Sequence, residues 1–280
     1  MPLGTSQQTT TTGANFIPEL WGPGVIAATE SKLVFQPLCW DWSSPVKGKG
    51  DTIHIPGVSN LTSNAKAANT EVTLNSPTED VTNLLINRHD ECSFLIEDIL
   101  KTQADFNLMK FYTDKAGYAI ARQRDTRINA LVSGFSQTLG SQGVDIGDQQ
   151  IRDGIEFLDL ADAPDTDRNL VIYPDQKNAL FAIEKYFRAS MRGDGASKIL
   201  TKGQFGEIYG VPVHVTTNVG TSASTRLNTL FHKEAIGVAQ QLGPRTQSDY
   251  ILEFLGNLVV ADFIYGEVET RDAFGVWLRS

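Results

Sequence analysis

From Ile96 to Phe135 the chain has no proline and a single glycine before its last turn, Gly117. Ile99, Leu100, Leu108, Phe111, Tyr112, Ala116, Ala119, Ile120, Ile128, Leu131 and Phe135 recur at helical spacing. The pattern predicts one very long helix, whose forty residues would span about 60 Å at 1.5 Å rise each. A polar run, Arg122–Arg127, interrupts its apolar stripe. No strict heptad is present, so the helix reads as a single structural spine and not as a coiled coil.

Two shorter patterns precede it. Thr52-Ile53-His54-Ile55 alternates as a strand does, and Val81–Phe94 carries apolar residues at 84, 86, 92 and 94. Between them, residues 56–80 hold only Val58, Leu61, Val72 and Leu74 as larger apolar side chains. Burying all four would contribute roughly 6–12 kcal/mol. Ordering about twenty-five backbones costs at least ~25 kcal/mol. The segment cannot hold itself as a compact loop, so a protruding two-stranded arm is predicted that draws its contacts from a neighbour.

The N-terminal pattern differs again. Thr5–Asn15 is Thr, Gln, Ser and Asn with one Gly and one Ala, too polar to fold onto a core by itself. Phe16–Trp42 is apolar but broken by Pro18, Pro23 and Pro37, each of which removes a backbone donor and restricts the residue before it. It reads as an arm, with Phe16, Ile17, Trp21, Trp40 and Trp42 as anchors.

Beyond the spine, Gln149–Ala161 predicts a short helix capped by Asp148, with Ile151, Ile155 and Leu158 on one face. Arg168–Tyr173 predicts a buried strand, and Pro174 opens a helix to about Ala189 with Leu180, Ile183 and Phe187 inward. Val211-Pro212-Val213-His214-Val215 predicts a strand near a sheet edge, because Pro212 has no donor to give a central ladder. Gly220–Arg226 is a loop of small residues ending in the charge of Arg226, and Leu227–Phe231 and Ala261–Leu278 read as further strands. The mixed order of elements predicts the α+β class.

Composition narrows the function. At 280 residues the chain can bury about three-quarters of its unfolded surface as one large domain or two small ones. Apolar residues are 41% of it, and no run nears the ~18 a membrane helix needs, so a soluble protein is expected. Acidic residues number 33 against 24 basic ones, a formal charge of −9, which disfavours sequence-specific nucleic-acid binding. Met1–Asn15 offers no secretory signal, and Pro2 excludes myristoylation, so the chain is expected to stay where it is made.

Catalytic signatures are missing. Cys39 and Cys92 give neither a disulfide framework nor a zinc spacing and read as small buried hydrophobes. Gly48-Lys49-Gly50 lacks the spacing of a phosphate cradle. His54, His89, His214 and His232 form no metal pair, and there is no GxSxG elbow. Asp159, Asp162, Asp165 and Asp167 lack the spacing of a calcium loop and read as a solvated loop, and Arg192-Gly193-Asp194 reads as a flexible turn. No enzyme activity, cofactor or metal is expected.

Three segments, Gly206–Val215, Phe231–Ala239 and Ala261–Arg271, resemble the major capsid proteins of tailed double-stranded-DNA phages, whose subunits share the Hong Kong 97-like fold. Gly206-Glu207-Ile208-Tyr209-Gly210-Val211-Pro212-Val213-His214-Val215 is similar to that family's glycine, short spacer and Gly-Val-Pro-Val strand. Phe231-His232-Lys233-Glu234-Ala235-Ile236-Gly237-Val238-Ala239 resembles the stretch that returns the chain to the peripheral domain. Ala261–Arg271, through Tyr265-Gly266, resembles the closing strands. Their order and spacing cover nearly the whole chain.

The resemblance implies an N-terminal arm (1–45), an extended β-hairpin loop (46–95), a peripheral domain with the spine helix (96–147 and 231–280) and an axial domain (148–230). It implies a structural subunit assembling through pentamers and hexamers into an icosahedral phage head around double-stranded DNA, located in the virion and assembled in the host cytoplasm. The expected interface residues are Phe16, Ile17, Trp21, Trp40, Trp42, Val58, Leu61, Val72, Leu74 and Arg226. Relatives that carry their own scaffold have a long helical N-terminal extension, for which there is no room before Phe16. A separate scaffolding protein is therefore expected, with a portal and an optional decoration protein as further partners, packaged DNA bound without sequence recognition, and no membrane. Two rivals remain in view: an encapsulin-like shell housing a cargo enzyme, and an intracellular hydrolase with an unrecognised site.

Overall fold

A computed structural model of the chain describes residues 33–46, 49–58, 60–99, 108–187 and 206–280. In chain order its elements begin with α1 (Phe35–Leu38), β1 (Trp40–Asp41), β2 (Thr52–Val58), β3 (Glu79–Leu85), β4 (Arg88–Glu97), α2 (Leu108–Ala130), β5 (Gln137–Gly140) and α3 (Asp148–Leu160). There follow β6 (Arg168–Ile172), α4 (Pro174–Phe181), α5 (Glu184–Phe187), β7 (Glu207–Ile208), β8 (Val211–Val215), β9 (Thr221–Ser222), β10 (Thr225–Arg226) and β11 (Asn228–His232). The chain closes with β12 (Ile236–Ile251), β13 (Gly256–Glu269) and β14 (Gly275–Arg279).

These build two larger sheets, besides the two-stranded pairs β2–β3 and β9–β10. One has the order β1-β12-β13-β4, and the other β5-β14-β11-β6-β8-β7. β6 lies between β11 and β8, and all five of its residues are buried, Leu170-Val171-Ile172 as an apolar run and Arg168 and Asn169 as buried polar residues before it. β8 is one strand from the edge, covered there only by the two residues of β7, so Pro212 sits where a missing donor is tolerated. The helix α3 packs on this sheet at Gly154, where a Cβ would come 2.9 Å from Leu230.

The main core gathers on the six-stranded sheet, where Ile151, Leu158, Leu170, Ile172, Leu230, Phe231, Val276 and Leu278 are buried together. Phe35 and Cys39 from the end of the arm enter the same cluster, as do Ile128 and Val132 from the last turns of α2 and the 3-10 turn after it. Two small cores stand apart. Ala116 and Ile120 on α2 pack on Ala261, Phe263 and Tyr265 of the four-stranded sheet, and Val46, Ile53, Leu84, Ile86 and Ala239 close the base of the β2–β3 hairpin.

Several expectations need correction. Ile96 is the buried penultimate residue of strand β4 and not the start of a helix, because Cys92, Phe94 and Ile96 continue a two-residue alternation. The described spine is Leu108–Ala130, 23 residues or about 35 Å. The expected helix from Pro174 breaks at Ala182-Ile183 into α4 and α5, and its end at 188–189 lies outside the described residues. Asp148 is the first helical residue of α3; the cap is Gly147, whose N–H donates to Gln150 Oε1 at 2.9 Å. Ala261–Leu278 does hold strands as expected, β13 and β14 in different sheets, joined by a 3-10 turn at Asp272–Phe274. Cys92 is only half-buried.

β12 is the element the sequence hides. Its first four residues are buried, but exposure rises along it, so no single period runs its length. Register shifts between Gln240 and Arg245 break the alternation further, next to Gly243-Pro244. β5 and β14 fall in the ranges expected for a peripheral unit, yet they are hydrogen-bonded into the sheet that carries most of 148–230.

Candidate assembly surfaces

The projecting hairpin is anchored at one end only. β2 and β3 pair antiparallel from Thr52↔Leu85 to Val58↔Glu79. At the base Ile53 and Leu84 are buried, and Ile86 N–H donates to the Asp51 carbonyl at 2.7 Å. Gly266 of β13 lets this base approach, since a Cβ there would collide with the Leu85 carbonyl. Further out burial stops, and every residue from 60 to 81 is exposed.

Leu61, Val72 and Leu74 are 65%, 65% and 87% exposed. Their arm is tied across itself by Asn75, whose amide donates to the Thr62 carbonyl while its oxygen accepts from Asn64 Nδ2 at 3.0 Å. Val58 sits at the last paired position, opposite Glu79. Leu61, Val72 and Leu74 thus stand on one projecting element, in solvent.

The described part of the arm packs on its own subunit. β1 runs parallel to β12, pairing Trp40 with Gly237. The Trp40 and Trp42 rings lie 4.5 Å apart, and half-buried Trp42 packs on the cluster at the hairpin base. Phe16, Ile17 and Trp21 lie outside the described residues. Arg226 is elsewhere: Gly220–Arg226 is a tight two-stranded turn, β9–β10, with Ala223 and Ser224 both at positive φ, 48° and 66°. Its guanidinium stands 3.8 Å over the Tyr173 ring, and its carbonyl accepts from Trp277 Nε1 at 2.8 Å. The structure therefore brings Trp42 to the hairpin base and leaves Arg226 with the six-stranded sheet.

Within the polar interruption of the spine, Arg124 and Asp125 are buried. Asp125 accepts the Phe35 N–H at 2.8 Å and the Asn218 amide at 2.9 Å, and burial pushes its carboxyl up. Asn129 accepts from Gly220 N at 2.7 Å and donates to the Leu227 carbonyl at 2.9 Å. Arg124 lies over Phe263 and Tyr265, at 5.1 and 5.6 Å from their centroids. One helix is thereby tied to the arm, to the β9–β10 turn and to the four-stranded sheet. The available signal was the i, i+4 pair Asp125 and Asn129, short polar side chains beside Ile128 on the stripe itself.

Three more charged groups are organised by partners. Arg168, nearly buried, pairs with Asp159 at 2.6 Å and Asp165 at 2.9 Å, so the acidic set expected as a solvated loop is partly spent on an arginine. Asp262 receives both prongs of Arg245, at 2.7 and 2.8 Å, and is held down at about 2. Where β13 leaves its sheet, burial and Asp272 push Glu269 up to about 7. Asp272 in turn accepts the Ser136 N–H at 2.7 Å. Among the described residues no group of His, Cys, Asp and Glu is placed to hold a metal, and no helix is long and apolar enough to cross a membrane.

No protein-family model matches the chain, and no curated protein does. Solved structures match it along nearly its whole length. One from Mycobacterium phage Che8 superposes with a TM-score of 0.83 at 24% identity, covering 94% of this chain and 97% of that one. The capsid structure of Cyanophage P-SCSP1u gives 0.81 at 15% identity, covering 99% and 96%. The asymmetric unit of the bacteriophage PhiM1 mature capsid gives 0.73 at 13% identity, covering 94% and 92%. The chain has the α+β fold of phage capsid structures, the Hong Kong 97-like fold.

Proposed function

We propose that the chain is a major capsid protein, a structural subunit that closes into a shell through rings of five and six and encloses double-stranded DNA. One observation carries the reading: a hairpin projects from the subunit with Leu61, Val72 and Leu74 in solvent and no residue of 60–81 in any core of its own. A soluble monomer gains nothing from such an element, whereas a shell subunit buries it on a neighbour by a heterologous contact. The fold's match to capsid structures over nearly the whole length of both chains supports the same reading.

In this account residues 1–45 act as an arm, 46–95 as the extended loop, 96–147 and 231–280 as the peripheral domain and 148–230 as the axial domain. Phe16, Ile17, Trp21, Trp40, Trp42, Val58, Leu61, Val72, Leu74 and Arg226 meet neighbouring copies. A separate scaffolding protein and a portal take part in assembly, and the role is not enzymatic. Sedimentation velocity of the purified protein, alone and with the scaffold co-expressed, tests the proposal. Particles sedimenting as closed shells are expected; a monomer under both conditions would refute it.

A further inference from the structure

Three connections carry the chain between the two larger sheets: from α2 to β5, from β11 to β12, and from β13 to β14. Two titratable centres tie them to one another. His232 ends β11, its ring 4% exposed and set edge-on to the Phe274 ring of the third connection, 5.5 Å away. Its Nδ1 accepts the Glu234 N–H at 3.2 Å and so caps the 3-10 turn Lys233–Ala235. That turn grips the third connection, because the Glu234 carbonyl accepts the Thr270 hydroxyl at 2.7 Å and its carboxylate pairs with Arg271 at 3.4 Å. An imidazolium has donors at both nitrogens and no acceptor, so the cap exists only while the ring is neutral. Burial is the largest effect holding the ring below its ordinary 6.5; Glu234 and Asp167 act against it, and Arg168 and Arg271 with it.

The second centre makes the opposite demand. Glu269 and Asp272 are hydrogen-bonded to each other through their carboxyls, which requires a proton between them. Asp272 accepts both the N–H and the hydroxyl of Ser136 in the first connection, as an ionised carboxylate does, so the proton rests on Glu269. Glu269 also bears on the 3-10 turn of that connection, where a Cβ on Gly134 would come 2.8 Å from its Oε2. The charged group facing Glu269 is Asp272.

We propose that the joint between the two sheets is a hinge set by two protons, one kept off His232 and one held by Glu269, which loosens in acid through the β11–β12 connection and in alkali through the β13–β14 connection. Above pH 6.5 the ring is neutral in the folded and unfolded chains alike; below it the unfolded ring is protonated first, so stability is lost as pH falls. Glu269 runs the other way, with stability lost as pH rises through about 7. The hinge belongs to the subunit's own fold and stands whether or not shells form.

Hydrogen exchange of the full-length subunit, corrected for the intrinsic pH dependence of amide exchange, tests it. Amides of residues 233–236 should lose protection below about pH 6, and those of Ser136 and residues 270–274 above about pH 7.5, each by up to about tenfold per pH unit, as opening coupled to one proton requires. The amides of β6 should stay protected throughout. His232→Asn keeps an acceptor at the capping position and cannot take a proton, so it should flatten the acid limb and leave the alkaline one. Glu269→Gln should flatten the alkaline limb and leave the acid one. Wild-type profiles in H232N and E269Q would overturn the hinge. So would protection at the joint of the wild-type chain that is constant from about pH 5 to about pH 9, or lost only together with that of β6, which is global unfolding.

Discussion

Glu269 sits where β13 leaves the four-stranded sheet, and burial with Asp272 beside it pushes its carboxyl from an ordinary 4.5 up to about 7. Below about pH 4.5 the folded and unfolded chains both hold this proton, and the group costs nothing. Above it the unfolded chain releases the proton while the folded one keeps it, so stability is lost progressively as pH rises through about 7. Glu269→Gln should therefore melt above wild type at about pH 8 and close to it at about pH 4.5. A gap that does not change with pH would remove Glu269 as the titrating group. Arg226 carries a second prediction. Its stacking on Tyr173 makes Arg226→Glu cost about 0.5–2 kcal/mol in the isolated subunit, read by denaturant unfolding; unchanged stability would leave Arg226 a purely intersubunit role. Residues of this kind are poorly legible in sequence. Asp125 falls in the polar run that interrupts the spine's stripe, yet it and nearby Asn129 are buried and paired, because their partners, Phe35, Gly220 and Leu227, lie some ninety residues away.

Elements with one uniform environment are the legible ones. The β2–β3 hairpin follows from alternation at Thr52–Ile55 and from a following segment too poor in apolar residues to form a core. Because residues 60–81 are all exposed, deleting Ser59–Ser76 with a glycine-rich closure should leave subunit melting nearly unchanged and abolish stable particles. A large drop in melting temperature would place the arm in the subunit's own core. The spine makes the opposite demand. Ile120, 3% exposed on the core shared with Phe263 and Tyr265, should not tolerate proline, and Ile120→Pro should lose ~3 kcal/mol or more and with it soluble protein. What periodicity missed were the changes of environment: β4 runs on through Ile96, and β12 passes from core to solvent along its own length, so neither shows one clean period.

At the scale of the whole molecule, three connections pass between the two sheets: from α2 to β5, from β11 to β12, and from β13 to β14. Contacts among them, such as Asp272 with Ser136 and Arg271 with Glu234, make the junction one packed unit. The α+β class and the capsid-like order of segments were legible from sequence, while the place of β5 and β14 together in the six-stranded sheet was not, since pairing partners are set by topology and not by local pattern. The central claim is that this chain closes into shells in which the projecting hairpin is buried on a neighbour. Cryo-electron microscopy of the assembled protein, at a resolution that shows side chains, tests it most directly. Closed shells are predicted, with Leu61, Val72 and Leu74 of each copy packed against another; a small discrete oligomer, or shells in which those three side chains face solvent, would contradict it.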